Sequence, residues 1–92
     1  MKSKNKPRQT AQESAHAAIL ADMDCVVCEA PGPSEIHEPE QGLWFIALPL
    51  CTACHRGPDG WHGTRLRWKL RRVNELQAIN RTIERMQHET NR

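Results

Sequence analysis

Two cysteine pairs with the same spacing constrain this sequence more than any other feature. Cys25 and Cys28 form one CxxC motif, Cys51 and Cys54 form a second, and residues 29–50 separate the two. Two CxxC turns together supply the four thiolates of a tetrahedral Zn²⁺ site. Because four thiolates leave no open coordination position, a metal ion bound there is expected to be structural. Disulfides or free buried thiols are the alternatives.

The composition explains why a chain of this kind needs a metal ion. The 92 residues are 38% hydrophobic, with one Phe and no Tyr, so the apolar core of such a small domain is marginal. No apolar run is long enough for a membrane span, and no apolar segment follows the basic stretch 1–8 as it would in a secretory signal. We therefore predict a small α+β, zinc-stapled domain in a reducing cytoplasm, where metal binding is favoured over disulfides. The net charge of +2 does not by itself indicate a polyanionic partner.

The sequence divides into a short arm and a single domain. Residues 1–9 are rich in Lys and Arg, which predicts a disordered basic arm that either keeps the chain soluble or contacts phosphate. Residues 10–92 are expected to form one domain. Its three parts are a helix over about 10–23, a zinc-binding core over about 24–63 and a long helix over about 64–89.

Capping and periodicity signals locate the two helices. Thr10 and Glu13 have the spacing of a capping box ahead of an Ala-rich stretch, and Thr64 is a plausible N-cap for the long helix. Apolar residues then recur every three or four positions, as in an amphipathic helix. The second half of this apolar stripe comprises Leu76, Ile79, Ile83 and Met86. Packing on the core is its default role, with a dimer or partner-helix contact as the alternative, so we expect a monomer or weak dimer.

The central region has two segments of extended character. Residues 34–37 form a short one, and residues 42–48 form an apolar run that predicts a strand bounded by Gly42 and a proline. Trp44 and Trp68 are expected in the core, between this strand and the long helix. Trp61, in a Gly-rich loop, is a candidate for stacking on a base or sugar.

Three histidines lie close to the cysteine motifs in sequence. His37 is on the short extended segment, His55 directly follows the last cysteine, and His62 comes seven positions later. We expect at least two of them to share a metal ion. The start of the long helix carries five cations that either form a solvated face or contact phosphate. They are Arg65, Arg67, Lys69, Arg71 and Arg72.

Taken together, these motifs resemble the HNH nucleases, which have a ββα-metal fold. The resemblance is to the small phage and prophage proteins related to the Ref recombination-enhancing nucleases, and it covers residues 15–68. The matching segments run from Ala15-His16-Ala17 through Cys25-Val-Val-Cys28, Glu35-Ile-His37-Glu38, Leu48-Pro-Leu-Cys51, Cys54-His55-Arg56-Gly57 and His62-Gly63. The resemblance implies an HNH-like core and a DNA endonuclease or nickase of low sequence specificity in a bacterial host cell. A recombination protein is a further partner that it suggests.

The resemblance also implies roles for individual residues. His37 corresponds to the first histidine of the family's His-His pair, and His55 and His62 would complete a site for one catalytic divalent ion, Mg²⁺, Mn²⁺, Zn²⁺ or Ni²⁺. Arg56 and the five cations of the long helix would contact the DNA backbone. Glu38 stands where the family has its general-base histidine. The base is therefore Glu38, Glu35, His37 itself or absent.

A second departure from the family keeps a non-enzymatic alternative open. The family's middle Asn is missing from residues 42–48. A carboxylate of ordinary pKa is also a weaker base near neutral pH than an imidazole. The alternative is a zinc-binding module that binds DNA or protein and in which the nuclease site has decayed.

Overall fold

A computed structural model describes residues 8–90, without the side chains of residues 89 and 90. Most of the predicted basic arm, residues 1–7, lies outside the described residues. The described chain is a small α+β structure with a two-stranded sheet and four helices. The elements in chain order are α1 (Ala11–Asp22), β1 (Glu35–His37), a 3₁₀ turn (Trp44–Ile46), β2 (Leu48–Leu50), α2 (Thr52–His55), α3 (Leu66–Leu70) and α4 (Glu75–Thr90). No helix within residues 8–90 has the length and hydrophobicity needed to cross a membrane.

The N-terminal helix forms as its sequence predicts. The Thr10 hydroxyl accepts a hydrogen bond from the Glu13 backbone N–H at 3.1 Å, and the Glu13 carboxylate accepts one from the Thr10 N–H at 2.7 Å. This reciprocal capping satisfies two backbone donors at the start of α1. The helix buries Ala17 and Leu20, so a narrow face packs on the rest of the domain.

The sheet lies later in the chain than the sequence predicts. Residues 44–46 form a 3₁₀ turn, and β2 begins only at Leu48, so the predicted strand over 42–48 is wrong for most of its length. Pro49 lies inside β2, opposite Ile36 of the antiparallel β1. A two-stranded sheet has only edge strands, and there a missing N–H does not interrupt pairing. Upstream, Gly42 has a φ of 92°, which favours a turn in place of a strand.

The core forms around the two cysteine motifs. Its buried residues are Cys25, Val26, Val27, Leu48, Leu50, Cys54, Trp68, Val73 and Ala78. Trp68 is buried, as predicted, and its indole N–H donates to the carbonyl of Cys54 at 2.9 Å. Trp44 is only partly buried, because it lies in the 3₁₀ turn and not on a strand facing a helix.

The predicted long helix is interrupted. It forms as α3 and α4, separated by residues 71–74, where Arg72 has a φ of 56°. Asn74 restarts the helix: its side-chain oxygen accepts from the Gln77 N–H at 2.7 Å, and the Gln77 side chain accepts from the Asn74 N–H at 2.9 Å. Thr64 is not the N-cap of α3 either, since Arg65 occupies that position in a left-handed conformation.

Helix α4 buries only part of its apolar stripe, with Ile79 packed against the core. Leu76 is 76% exposed and Ile83 is 43% exposed, whereas Ala78 and Thr82 are buried. The small Ala78 side chain lies in the core beside the cysteine motifs. Nearby, Arg81 donates to the carbonyl of Val26 at 3.1 Å. The large apolar side chains of the stripe are therefore divided between the core and the surface.

Candidate metal centres

The four cysteines converge into one group, here called the cysteine cluster. Their sulfur atoms all lie within 4.8 Å of one another, and all four residues are free cysteines. Cys25 and Cys28 lie in the turn after α1. Cys51 directly precedes α2, and Cys54 lies within it. The Cys51 sulfur accepts a hydrogen bond from the Cys54 N–H at 3.4 Å. Four convergent sulfurs on two such turns could hold a structural metal ion.

The protonation of these thiols fits a site that takes up a cation. Burial raises the pKa of Cys28, but the Ala30 backbone N–H and the neighbouring thiols outweigh it and lower this pKa to about 7. Burial raises the pKa of Cys51 and Cys54, and the charge on Cys25 adds to the effect. Cys28 therefore ionises readily while Cys51 and Cys54 resist ionisation, chiefly because burial disfavours the thiolate form.

A positive charge is present at the edge of this cluster. The Arg67 Nε–H donates to the Cys54 sulfur at 3.3 Å, and its hydrogen bonds to Cys54 and Cys28 raise the pKa of Arg67. Arg67 was predicted to contact nucleic acid, but the structure turns its side chain towards the sulfurs. The guanidinium is thus an outer partner of the cysteine cluster.

The three histidines form a second group, the histidine cluster. One ring nitrogen from each of His37, His55 and His62 lies within 4.8 Å of the other two. The ring centroids are 5.2 Å apart for His37 and His55, 5.5 Å for His37 and His62, and 5.0 Å for His55 and His62. His37 is buried, His55 is partly buried and His62 is exposed. The cluster therefore has one open side.

Each of the two inner histidines has a carboxylate on one ring nitrogen. Nε2 of His37 lies 2.8 Å from Oε2 of Glu75, and Nδ1 of His55 lies 2.9 Å from Oε1 of Glu35. A metal-binding histidine usually donates its second N–H to a carboxylate or carbonyl in this manner, which fixes the ring and leaves the other nitrogen for the metal. The donor set and its outer partners therefore fit a divalent cation.

The backbone of residues 56–63 brings His62 back to His55. The Trp61 N–H donates to the carbonyl of Cys54 at 2.8 Å, and the His62 N–H donates to the carbonyl of His55 at 3.1 Å. Gly60 makes the return of the loop possible, because a Cβ there would lie 2.6 Å from the Ala53 carbonyl oxygen. The sequence Gly60-Trp61-His62 thus places an exposed imidazole over the end of α2.

The protonation states of His37 and Glu35 favour the binding of a cation at the histidine cluster. Burial lowers the pKa of His37 and outweighs the opposing effect of Glu75, so its imidazole is neutral near pH 7. Glu35 is ionised, because Arg56 and then Thr52 hydrogen-bond its carboxylate and lower its pKa to about 2. The neutral form of an imidazole, as in His37, is the form that binds a divalent metal ion.

Of the remaining predicted site residues, some form hydrogen bonds within the domain and others are exposed to solvent. The Glu38 carboxylate accepts from the Gly42 N–H at 2.9 Å and is not part of the histidine cluster. Arg56 forms a bidentate pair with Glu35, at 3.0 Å and 2.6 Å. Four other predicted contacts with nucleic acid are exposed, namely Arg65, Lys69, Arg71 and Arg72.

Two outer-partner roles are not among those predicted from the sequence. Glu35 is predicted only as a base, although its spacing of two from His37 on one strand already places it on the same face. Glu75 is not predicted at all, because no local pattern links it to a histidine thirty-eight positions away. The signal that was available is Asn74-Glu-Leu-Gln77, the spacing of a capping box, which starts a new helix and places Glu75 in its first turn.

Comparisons with family models, with curated proteins and with solved structures gave no match. The functional interpretation of the two clusters therefore depends on their own geometry.

Proposed function

We propose that the protein is a metal-dependent DNA endonuclease or nickase of the HNH type, with zinc in the cysteine cluster and a catalytic divalent ion in the histidine cluster. The observation that carries the proposal is the convergence of three imidazoles, two of them backed by carboxylates. A cation bound there would polarise a scissile phosphate and stabilise the departing oxygen. Mg²⁺, Mn²⁺, Zn²⁺ and Ni²⁺ are the candidates.

The side chains around this cluster have distinct roles in the proposal. His37, His55 and His62 hold the cation, while Glu75 and Glu35 orient the two inner rings. Glu35 is a poor general base, since its pKa is about 2 and both of its oxygens accept hydrogen bonds. The general base in this proposal is Glu38 or a neighbouring residue, and the Glu38 carboxylate accepts a hydrogen bond from the Gly42 N–H.

Exposed cations would hold the DNA backbone. Lys69, Arg71 and Arg72 lie in and after α3, the helix that follows the loop carrying His62. Cations that neutralise phosphates give affinity with little sequence preference and a strong dependence on salt. We therefore expect cleavage of unrelated duplexes at similar rates, and a loss of activity as the salt concentration rises.

A plasmid-nicking assay tests the proposal. Wild-type protein should convert supercoiled plasmid to nicked or linear DNA only when Mg²⁺ or Mn²⁺ is added. His62→Ala is the informative variant, because His62 is exposed whereas His37 is buried and its removal would leave a cavity. Its activity should fall by more than the roughly tenfold typical of losing an outer partner. The control His88→Ala removes an exposed histidine outside the cluster. Cation-independent cleavage, or equal activity of the two variants, would overturn the proposal.

A second candidate function is a zinc-binding module that binds DNA without cleaving it. The position of Glu38 favours this reading, because its carboxylate is engaged by the Gly42 N–H and lies outside the histidine cluster. In that case the same assay gives no cleavage with any of the four cations, while wild-type protein still retards a labelled duplex. Glu38→Gln distinguishes the two readings in an active enzyme, since it keeps the hydrogen bond to Gly42 and removes the base.

A further inference from the structure

Arg65 is fixed in place by more contacts than a solvated arginine makes. Its backbone is left-handed, with a φ of 64°, and its N–H donates to the carbonyl of Gly60 at 3.0 Å. Its Nε–H donates to the carbonyl of Trp61 at 2.8 Å, and its guanidinium carbon lies 3.6 Å from the centre of a Trp61 ring. A residue other than glycine is strained in this backbone conformation, and such strain is concentrated at functional positions.

Trp61 connects this arginine to the histidine cluster. The Trp61 ring is 5.8 Å from His37 and 4.7 Å from the buried Trp68, measured between centroids. One side of the indole is therefore fixed by the domain, and the Arg65 guanidinium lies on its face. The sequence predicts Trp61 as a candidate for stacking on a base or sugar, and its contacts suggest a further role, that of a support for Arg65.

The free part of the guanidinium suits a phosphate group. The Nε–H of Arg65 donates to the Trp61 carbonyl. Within residues 8–90 the two terminal nitrogens of Arg65 make no hydrogen bond or ion pair. A planar guanidinium held on an aromatic ring presents these donors in a fixed orientation, which matches two oxygens of a phosphate group. The residue is exposed, so a large anion can reach it.

We propose that Arg65, supported by Trp61, binds the non-bridging oxygens of the nucleic-acid phosphodiester that lies at the histidine cluster. This proposal rests on the nuclease function proposed above and adds a specific phosphate-binding residue to it. The distinction from Lys69, Arg71 and Arg72 is that Arg65 is pre-organised and linked through one indole ring to His37. Its contribution should therefore depend on the guanidinium shape as well as on the charge.

Two substitutions of Arg65 distinguish the effect of its charge, the effect of its planar guanidinium and any effect on the fold. Arg65→Gly removes the side chain while relieving the left-handed backbone, so the fold should be kept. Arg65→Lys keeps the charge and loses the planar donors. The control Arg85→Gln also removes one positive charge, but Arg85 lies on α4 near Glu29, at 3.5 Å, and belongs to neither the clusters nor the exposed basic residues.

Binding is measured first, as the fluorescence anisotropy of a short labelled duplex titrated with protein at several salt concentrations without added divalent cation. Arg65→Gly should weaken binding roughly tenfold and reduce the slope of log affinity against log salt by about one phosphate contact. Arg85→Gln should change either quantity much less. Equal losses for the two variants would overturn the proposal.

Cleavage with Mn²⁺ is measured second. Arg65→Lys should bind the duplex more tightly than Arg65→Gly does, but its kcat should be less than about a tenth of the wild-type value. A wild-type kcat in Arg65→Lys would overturn the role of the guanidinium. If wild-type protein does not cleave, the proposed function fails. The binding measurement then still decides whether Arg65 contacts phosphate, so the two failures are distinguishable.

Discussion

Nε2 of His37 and Oε2 of Glu75 lie 2.8 Å apart and join the end of strand β1 to the first turn of helix α4. The histidine side chain is 4% exposed and the glutamate side chain is 27% exposed. The contact exists because Asn74 begins a new helix after the break at residues 71–74. The secondary structure of α4 and the orientation of a candidate metal ligand are therefore linked.

Replacing Glu75 should weaken cation binding at the histidine cluster. Glu75→Ala removes the acceptor that fixes the His37 ring, and losses of outer partners typically reduce metal affinity by roughly 10–100-fold. Glu75→Gln, which keeps an acceptor without the charge, should lose less. Calorimetric titration with Mn²⁺ of protein loaded with a single equivalent of zinc, enough for the cysteine cluster alone, measures the effect. Glu84→Ala, an exposed carboxylate on the same helix, is the control, and an equal loss in that variant would contradict the assigned role.

Arg67 should control how tightly the cysteine cluster retains its metal ion. Four thiolates around a bound Zn²⁺ would leave a net negative charge, which the Arg67 guanidinium would partly neutralise through its 3.3 Å contact with Cys54. Arg67→Ala should therefore release zinc to a coloured chelator about tenfold faster than wild type. The matched variant Arg71→Ala removes an exposed cation after the same helix and should release zinc at the wild-type rate. Identical rates for all three proteins would refute this role.

The reciprocal cap at the start of α4 should contribute measurably to stability. Asn74→Ala removes the acceptor for the Gln77 N–H and should lower the free energy of unfolding by about 1 kcal/mol. Asn80→Ala lies at an exposed position inside α4 and should be neutral or slightly stabilising, because alanine is the better helix former. Urea denaturation of zinc-loaded protein measures both. A smaller loss for Asn74→Ala than for Asn80→Ala would show that the cap is unimportant.

His16 should make the domain less stable in mild acid. Burial lowers the pKa of His16, and its Nε2, beside Phe45, is buried without a hydrogen-bond partner among residues 8–90. As the pH falls below about 6.5, the unfolded chain takes up a proton that the folded state resists, so the free energy of unfolding decreases.

The variant His16→Leu isolates this effect. It should be more stable than wild type by about 1 kcal/mol at pH 7, because it removes an unsatisfied buried nitrogen, and the difference should grow towards pH 5. Thermal unfolding over this range measures it. His88→Leu, at an exposed position, should leave the pH dependence unchanged. A difference between wild type and His16→Leu that does not vary with pH would contradict the account.

The parts of the fold that local signals determine were predictable. The capping box of Thr10 and Glu13 correctly located α1, and the two CxxC motifs identified the sulfurs that converge. The predicted strand ends at Pro49 and lies too early in the chain, because an edge strand tolerates proline and β2 continues through it. Periodicity alone does not predict the break before α4, because the apolar pattern continues through it; the signal for the break is the capping spacing of Asn74 and Gln77.

In the candidate site, too, local sequence patterns predict some residues, whereas others come together only through tertiary packing. His37, His55 and His62 were identified from their positions next to the cysteine motifs, and the structure brings them together. Glu75 reaches His37 only through the packing of α4, which no short-range pattern encodes. Arg67 was indistinguishable in sequence from its basic neighbours, because its contact with Cys54 depends on how α3 packs beside the sulfurs.

Two separate metal sites, one of sulfur and one of nitrogen ligands, are central to the proposed function, and native mass spectrometry during a zinc titration tests for both directly. The wild-type chain should bind two ions, whereas His62→Ala should retain one. Cobalt substitution should then show thiolate charge-transfer absorption of equal intensity in both proteins, because the cysteine cluster is intact in each. A wild-type chain that binds one ion, with the same stoichiometry in His62→Ala, would contradict the account.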